Sequence, residues 1–350
     1  MQTGNKYIRR WLWSGAALIF LMVVIGGITR LTGSGLSMSD WNLIMGALPP
    51  MNPSEWKEAF EQYRQFPQYQ QLNEGMSLPE FKQIFFWEYI HRLLGRIIGV
   101  VFLLPFLFFW IRGYFSEKMR NRALILFGLG AIQGAMGWIM VKSGLVDVPY
   151  VSHYRLALHL MLAFVLVSFC SWYALDLYHN RRRHRLKQTV DLNAWALTTA
   201  ALFALQIIWG AFTAGLDAGF IYNTFPMMNG EWLPQNVWSM QPLLINLLEN
   251  PGTVQWVHRI LGTLLLLLVT GLWLRTLNAN ALKSLRLKAG ILFMLIILQY
   301  LLGVFTVLYQ VPVALGVIHQ GFAMIFWIAW LFYYHELKTN YRTGKSLNGA

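Results

Sequence analysis

The chain has 350 residues, of which 56% are hydrophobic and only 12% charged, a balance that excludes an ordinary water-soluble domain and defines an integral membrane protein. The formal charge of +13 does not signify nucleic-acid binding, because the basic residues stand in short segments between apolar runs rather than on one aqueous face. The one cysteine, Cys170, sits inside an apolar run, which excludes an internal disulfide and a thiolate metal cluster.

In chain order, Lys6, Arg9 and Arg10 precede an apolar run from Trp11 to about Thr29 that is too long for a signal peptide and lacks a small-residue cleavage site. It reads as a first membrane span, and the few residues before it point to a bacterial inner membrane rather than a mitochondrial one. Runs of about 20 residues, enough to cross the hydrocarbon core as helices, fall near 10–30, 84–111, 122–142, 152–176, 193–213, 253–274, 289–309 and 312–334. The expected fold is therefore an all-α integral membrane protein with eight transmembrane helices. Of the 28 Lys and Arg residues, 19 lie in the N-terminus, 112–122, 181–187, 275–288 and the C-terminus, so these segments and both termini are expected on the cytoplasmic side.

Two long outer loops, 31–83 and 214–252, are rich in aromatic and turn-forming residues. In the first, Trp56, Phe60 and Tyr63 have helical spacing after Pro53-Ser54, and Ser77-Leu78-Pro79-Glu80 reads as a capping box leading into the second span. In the second, Asn250-Pro251 supplies a cap and a first helical residue for the sixth span.

The second span carries Glu88-Tyr89-Ile90-His91-Arg92 near its start, with Glu88 and His91 on one helical face. Ionisable groups at such a position are costly in hydrocarbon and usually functional. The pattern returns as Gln255-Trp256-Val257-His258-Arg259, with an amide in place of the carboxylate. His91 and His258 are 167 residues apart, and Gln133 and Gln299, each followed by a glycine four residues on, are 166 apart. In the same register Thr29 answers to Thr213 and His159 to His319. These near-equal offsets indicate two tandem four-helix bundles related by internal duplication, residues 1–190 and 191–350.

His91, His159, His258 and His319 each fall about seven residues into a span running inward, a shared depth of about 10 Å at 1.5 Å per residue. Two histidines per bundle suit axial ligation of haem iron inside an apolar four-helix core, whereas a bare zinc ion would want three or four ligands. Haem propionates are anionic, and Arg155, one turn outward from His159, is the best-placed partner, with Arg30 second. Glu88 alone among the 15 acidic residues lies deep in a span on a histidine face, which suits proton transfer; pairing with Arg92 or Arg155 is the structural alternative. His153 reads as an interfacial residue, and His179, His184 and His335 as solvated residues of the cytoplasmic ends.

Gly26-Gly27-Ile28-Thr29-Arg30-Leu31-Thr32-Gly33-Ser34-Gly35-Leu36-Ser37-Met38, Glu88-Tyr89-Ile90-His91-Arg92, Tyr154-Arg155-Leu156-Ala157-Leu158-His159, Phe225-Pro226-Met227-Met228 and Trp256-Val257-His258-Arg259 together resemble haem A synthase, the membrane enzyme family that converts haem O to haem A for terminal cytochrome oxidases. The resemblance implies that His258 and His319 hold a resident haem b. It also implies that His91 and His159 frame the iron of the substrate haem O, whose farnesyl tail lies along lipid-facing helices. The implied reaction is two successive hydroxylations of one ring methyl, after which the geminal diol loses water to leave a formyl group. On the residues alone, Glu88 in one copy against Gln255 in the other marks the first unit as the one that reacts, with Glu88 and His91 at the reacting site; taken with the resemblance, this implies that His91, His159 and Arg155 bind substrate. The resemblance admits contact with haem O synthase, the protohaem farnesyltransferase, and a homo-oligomer. Some members carry a cysteine pair in the first outer loop; none stands there in this chain, so a redox role for that pair does not transfer. The rival reading is a dihaem b-type electron-transfer cytochrome that does no chemistry on either haem.

Overall fold

In a computed structural model, residues 2–38, 48–144, 149–178, 186–187, 191–279 and 281–342 are described. His179, His184 and most of the basic segment at 181–187 lie outside the described residues. The helices are α1 Gln2–Leu31, α2 Pro53–Tyr63, α3 Pro67–Leu72, α4 Leu78–Ile111, α5 Glu117–Gly144, α6 His153–Tyr178, α7 Leu192–Gly215, α8 Asn246–Glu249, α9 Pro251–Asn278, α10 Lys283–Leu308 and α11 Val313–Asn340. Eight of them, α1, α4, α5, α6, α7, α9, α10 and α11, are long and apolar enough to cross a membrane, as the sequence predicts. The described residues also include a two-residue parallel contact of Leu186 with Tyr341 and Lys187 with Arg342, and an isolated antiparallel bridge between Met228 and Glu231.

Polar atoms start these helices where the sequence places them. Asn250 Oδ1 accepts from the N–H groups of Gly252 and Thr253 at 2.9 and 3.3 Å, with Pro251 as first helical residue. The Glu80 carboxylate accepts from both the Ser77 N–H and hydroxyl, at 2.8 and 2.6 Å. That cap starts α4 at residue 78, six residues ahead of the expected span, so the helix has 34 residues and runs roughly 50 Å at 1.5 Å per residue. Such a length exceeds the ~30 Å hydrocarbon core, and the excess carries a cluster of its own. Tyr63, Tyr69, Phe81 and Phe85 are buried together, with Trp56 and Phe60 packed on them, so α2 and α3 rest on the first turns of α4.

The chain divides into two compact units: residues 14–166 with Met1, and residues 2–13 with 167–350. In the second, α7 packs on α9, α9 on α10, α10 on α11, and α11 returns to α7, closing a four-helix ring. The loop between α7 and α9 is tied by the buried Asn246, which accepts from the Met240 N–H at 3.0 Å and donates to the carbonyls of Met240 and Leu243 at 2.8 Å each. Between α10 and α11, Gln310 and Val311 both have left-handed backbone (φ 58° and 55°), and the Val311 side chain faces Gly219, where a Cβ would lie 2.8 Å from it. His335 departs from expectation: it is 1% exposed, bonded to Asp176 at 2.9 Å and set edge-on to Trp172. The helix carries its apolar packing past that point, to the buried Leu337, and the histidine is covered with it. Cys170 is buried, in keeping with a packing role.

Candidate functional site

The four span histidines share one local arrangement. His91 on α4 lies against Gly26 of α1, His159 on α6 against Gly137 of α5, His258 on α9 against Gly210 of α7, and His319 on α11 against Gly303 of α10. A Cβ on these glycines would stand 3.1, 3.1, 3.1 and 2.9 Å from the respective imidazole Cε1, well inside the ~3.5–4.0 Å of ordinary carbon contact. Each ring thus occupies the space a side chain would take on the preceding helix. His159 is a near neighbour of His91, and His319 of His258. His159, His258 and His319 come six or seven residues into their helices, while His91 comes thirteen into α4 because that helix starts early.

Three of the rings are also met by a glutamine four residues before the cradling glycine. Gln133 Nε2 is 3.3 Å from His159 Nε2 and donates to the His159 carbonyl at 3.2 Å. Gln299 Nε2 is 3.3 Å from His319 Nδ1 and donates to that carbonyl at 3.0 Å. Gln206 Nε2 is 3.3 Å from His258 Nε2. The Gln-x-x-x-Gly spacing of Gln133 and Gln299 is visible in the sequence, where it serves only to mark the repeat; its third instance at Gln206 and its partnership with histidine emerge from the packing.

Nδ1 of His91, His159 and His258 is buried with no hydrogen-bond partner. A buried polar atom in that condition costs free energy unless something else satisfies it, and an imidazole nitrogen is a strong metal ligand. Among the described residues no group of three or more His, Cys, Asp or Glu converges as a bare metal ion would require. Two imidazoles per unit, carried by separate helices and backed by glycine, are instead a donor set that a haem iron would take.

Glu88 is 3% exposed and its carboxylate is fully engaged. Oε2 accepts from the Ser37 hydroxyl and the Met38 N–H, each at 2.8 Å, and Oε1 accepts from Arg92 Nη2 at 2.5 Å. Arg92 also donates to the Met38 carbonyl at 2.8 Å. Glutamate and arginine together therefore grip both backbone polar groups of Met38, fastening the segment after α1 to the helix that carries His91. The segment is held from the other side as well, because Gln68 donates to the Gly33 carbonyl at 2.9 Å and receives the Tyr63 hydroxyl at 3.1 Å. Burial raises the Tyr63 phenol above its ordinary pKa, which keeps it a neutral donor.

The second unit repeats this grip with different atoms. Gln255 Nε2 donates to the Tyr222 carbonyl at 3.0 Å, and Arg259 donates to the same carbonyl at 2.7 Å and to that of Thr224 at 2.9 Å. Where the loop presents an N–H and a hydroxyl, the helix supplies a carboxylate; where it presents only carbonyls, an amide. The Glu88–Gln255 difference thus has a physical cause in the loops. Arg155 is half-buried on α6, one turn before His159, and His153 is buried against Tyr154 with ring centroids 4.0 Å apart.

Fold and site define a polytopic α-helical membrane protein that presents two pairs of glycine-backed histidines. The chain belongs to the cytochrome oxidase assembly protein family, whose profile matches residues 9–331. It is 43% identical over 335 residues to the haem A synthase of Nitrosospira multiformis, covering 95% of this chain and 94% of that protein. It is 41% identical to the haem A synthase of Flavobacterium johnsoniae (96% and 99% covered) and 45% identical to that of Parvibaculum lavamentivorans (93% and 93%).

Proposed function

We propose that this protein makes haem A, oxidising a ring methyl of haem O to a formyl group by two successive hydroxylations, for the biogenesis of terminal cytochrome oxidase. Membership of the family and the activity for which its relatives are named support the reaction. The observation that carries the site assignment is the matched set of histidines, each pressed on a helical glycine, two in each unit. On this reading His258 and His319 hold a resident haem b, and His91 and His159 hold the iron of haem O with Arg155 facing a propionate. The resident haem supplies one-electron redox chemistry when bound. The chain's own part is to fix the substrate ring. His91 and His159 set its position, and Glu88 with Arg92 keeps the 33–38 segment against α4.

A proton-transfer role for Glu88 is the second reading, favoured by its burial in the first unit alone; it requires the carboxylate to exchange one of its three partners. The Lys and Arg distribution supports a bacterial inner-membrane location with both termini cytoplasmic and the histidines toward the periplasmic side. Co-expression with a haem O producer, followed by mass analysis of extracted haems, tests the function. Haem A is the expected product. Two haem b per chain and unchanged haem O would identify an electron-transfer cytochrome instead.

A further inference from the structure

The four histidine sites are alike except at one position. Counting four residues back from the cradling glycine gives Gln133, Gln206 and Gln299 for His159, His258 and His319, but Met22 for His91. The correspondence is spatial as well. Gln206 Nε2 would lie 3.2 Å from a Cβ on Gly262, four residues after His258, and Met22 Cε would lie 3.5 Å from a Cβ on Gly95, four residues after His91. The thioether therefore stands where the amide stands. An amide can hold the ring of a ligating histidine, its oxygen accepting from the N–H that remains when the other ring nitrogen gives its lone pair to iron, whereas a thioether is a weak acceptor and a flexible gap-filler. Accordingly Gln206 reaches Nε2 of His258 at 3.3 Å, while among the described residues no side chain hydrogen-bonds the ring of His91.

We propose that Met22 is a positioning residue that leaves the His91 imidazole unrestrained, so that the first unit releases its haem while the second, with a glutamine on each histidine, retains it. This rests on the reading that His91 and His159 ligate haem, and it identifies which of the two ligands lets go. An enzyme whose substrate is a haem must discharge its product, and a ligand whose ring turns without breaking a hydrogen bond lowers the barrier to that step. His159, with its ring and carbonyl both tied to Gln133, stays fixed as the other ligand opens.

The test uses the full-length protein in detergent, loaded with ferric haem b, with excess apomyoglobin as haem acceptor and loss followed by absorbance. Wild type should lose haem in a fast and a slow phase. M22Q should slow the fast phase about fivefold, the share of one net hydrogen bond, and M22L should leave it unchanged. The reciprocal Q206M should speed the slow phase by a similar factor without touching the fast one. His91→Ala and His159→Ala separate the two levels of inference. If either retains the fast phase at full amplitude, the first-unit histidines do not hold haem and the underlying assignment fails. If both abolish it yet M22Q releases haem at the wild-type rate, the assignment stands and the role of Met22 is overturned.

Discussion

Replacing Glu88 by glutamine exchanges one carboxylate oxygen for a donor among three donors. If the new amide nitrogen takes the place of Oε2, it meets the Met38 N–H, which cannot turn away; if it takes the place of Oε1, it meets Arg92 Nη2. Either way one bond becomes a repulsion, and Arg92, whose side chain is 7% exposed, loses the negative charge opposite it. Breaking one partner of a buried ion pair costs about 3–5 kcal/mol, and the lower figure corresponds to roughly a hundredfold rise in opening of the 33–38 segment. Ser37→Ala removes only the hydroxyl bond and should cost about 1 kcal/mol, roughly a fivefold rise. Amide hydrogen exchange at Met38 reads the opening, and haem A output in cells supplied with haem O reads the consequence. If Glu88 works by positioning, output falls in both variants in the order of their opening. Unchanged Met38 exchange in Glu88→Gln would refute the clamp. A hundredfold loss of output with Ser37→Ala fully active would return Glu88 to proton transfer.

Three other outcomes are expected. His258→Ala or His319→Ala should abolish the low-spin absorbance of the resident haem b, and a full, unchanged signal in both would sink the assignment. Gly303→Ala places a Cβ 2.9 Å from His319 Cε1, so the ring must retreat by about 0.6 Å to regain ordinary contact. Since functional geometry tolerates only about 0.5 Å, the haem-to-protein ratio should fall by an order of magnitude, whereas Gly134→Ala, which meets nothing within 4 Å, should match wild type. A reporter active only in the periplasm should work when fused within 31–83 or 214–252 and fail at 181–187; activity at the basic loop would invert the orientation.

The eight spans could be read from apolar run length because hydrocarbon thickness sets helix length directly. The caps at Ser77 and Asn250 were equally legible, each being a short-range match of side chain to exposed N–H groups. The histidines could be singled out because polar residues are rare in such runs. Of the three partners of Glu88 only Arg92, one turn along the same helix, could be read; the other two contacts run through the segment after α1, and one of those uses the Met38 backbone. No side-chain periodicity reports which way a loop turns its N–H and C=O groups. For the same reason Gln255 looked like the loss of a catalytic group, when its amide has a carbonyl to serve. The role of the glutamines was hidden because a Gln-x-x-x-Gly spacing names one helix face and says nothing of the ring that fills it.

The helix that supplies Gln133 and Gly137 is almost uncovered: of the most apolar 18-residue window in α5, 6% is buried within the protein. Acyl chains solvate the exposed face, so this side of the His159 site borders on lipid. For a porphyrin carrying a farnesyl chain, the relevant concentration is then a mole fraction in the bilayer. Lateral diffusion in two dimensions sets the encounter rate. Diluting the membrane with inert lipid at constant bulk substrate should slow the reaction, whereas diluting the surrounding buffer should not.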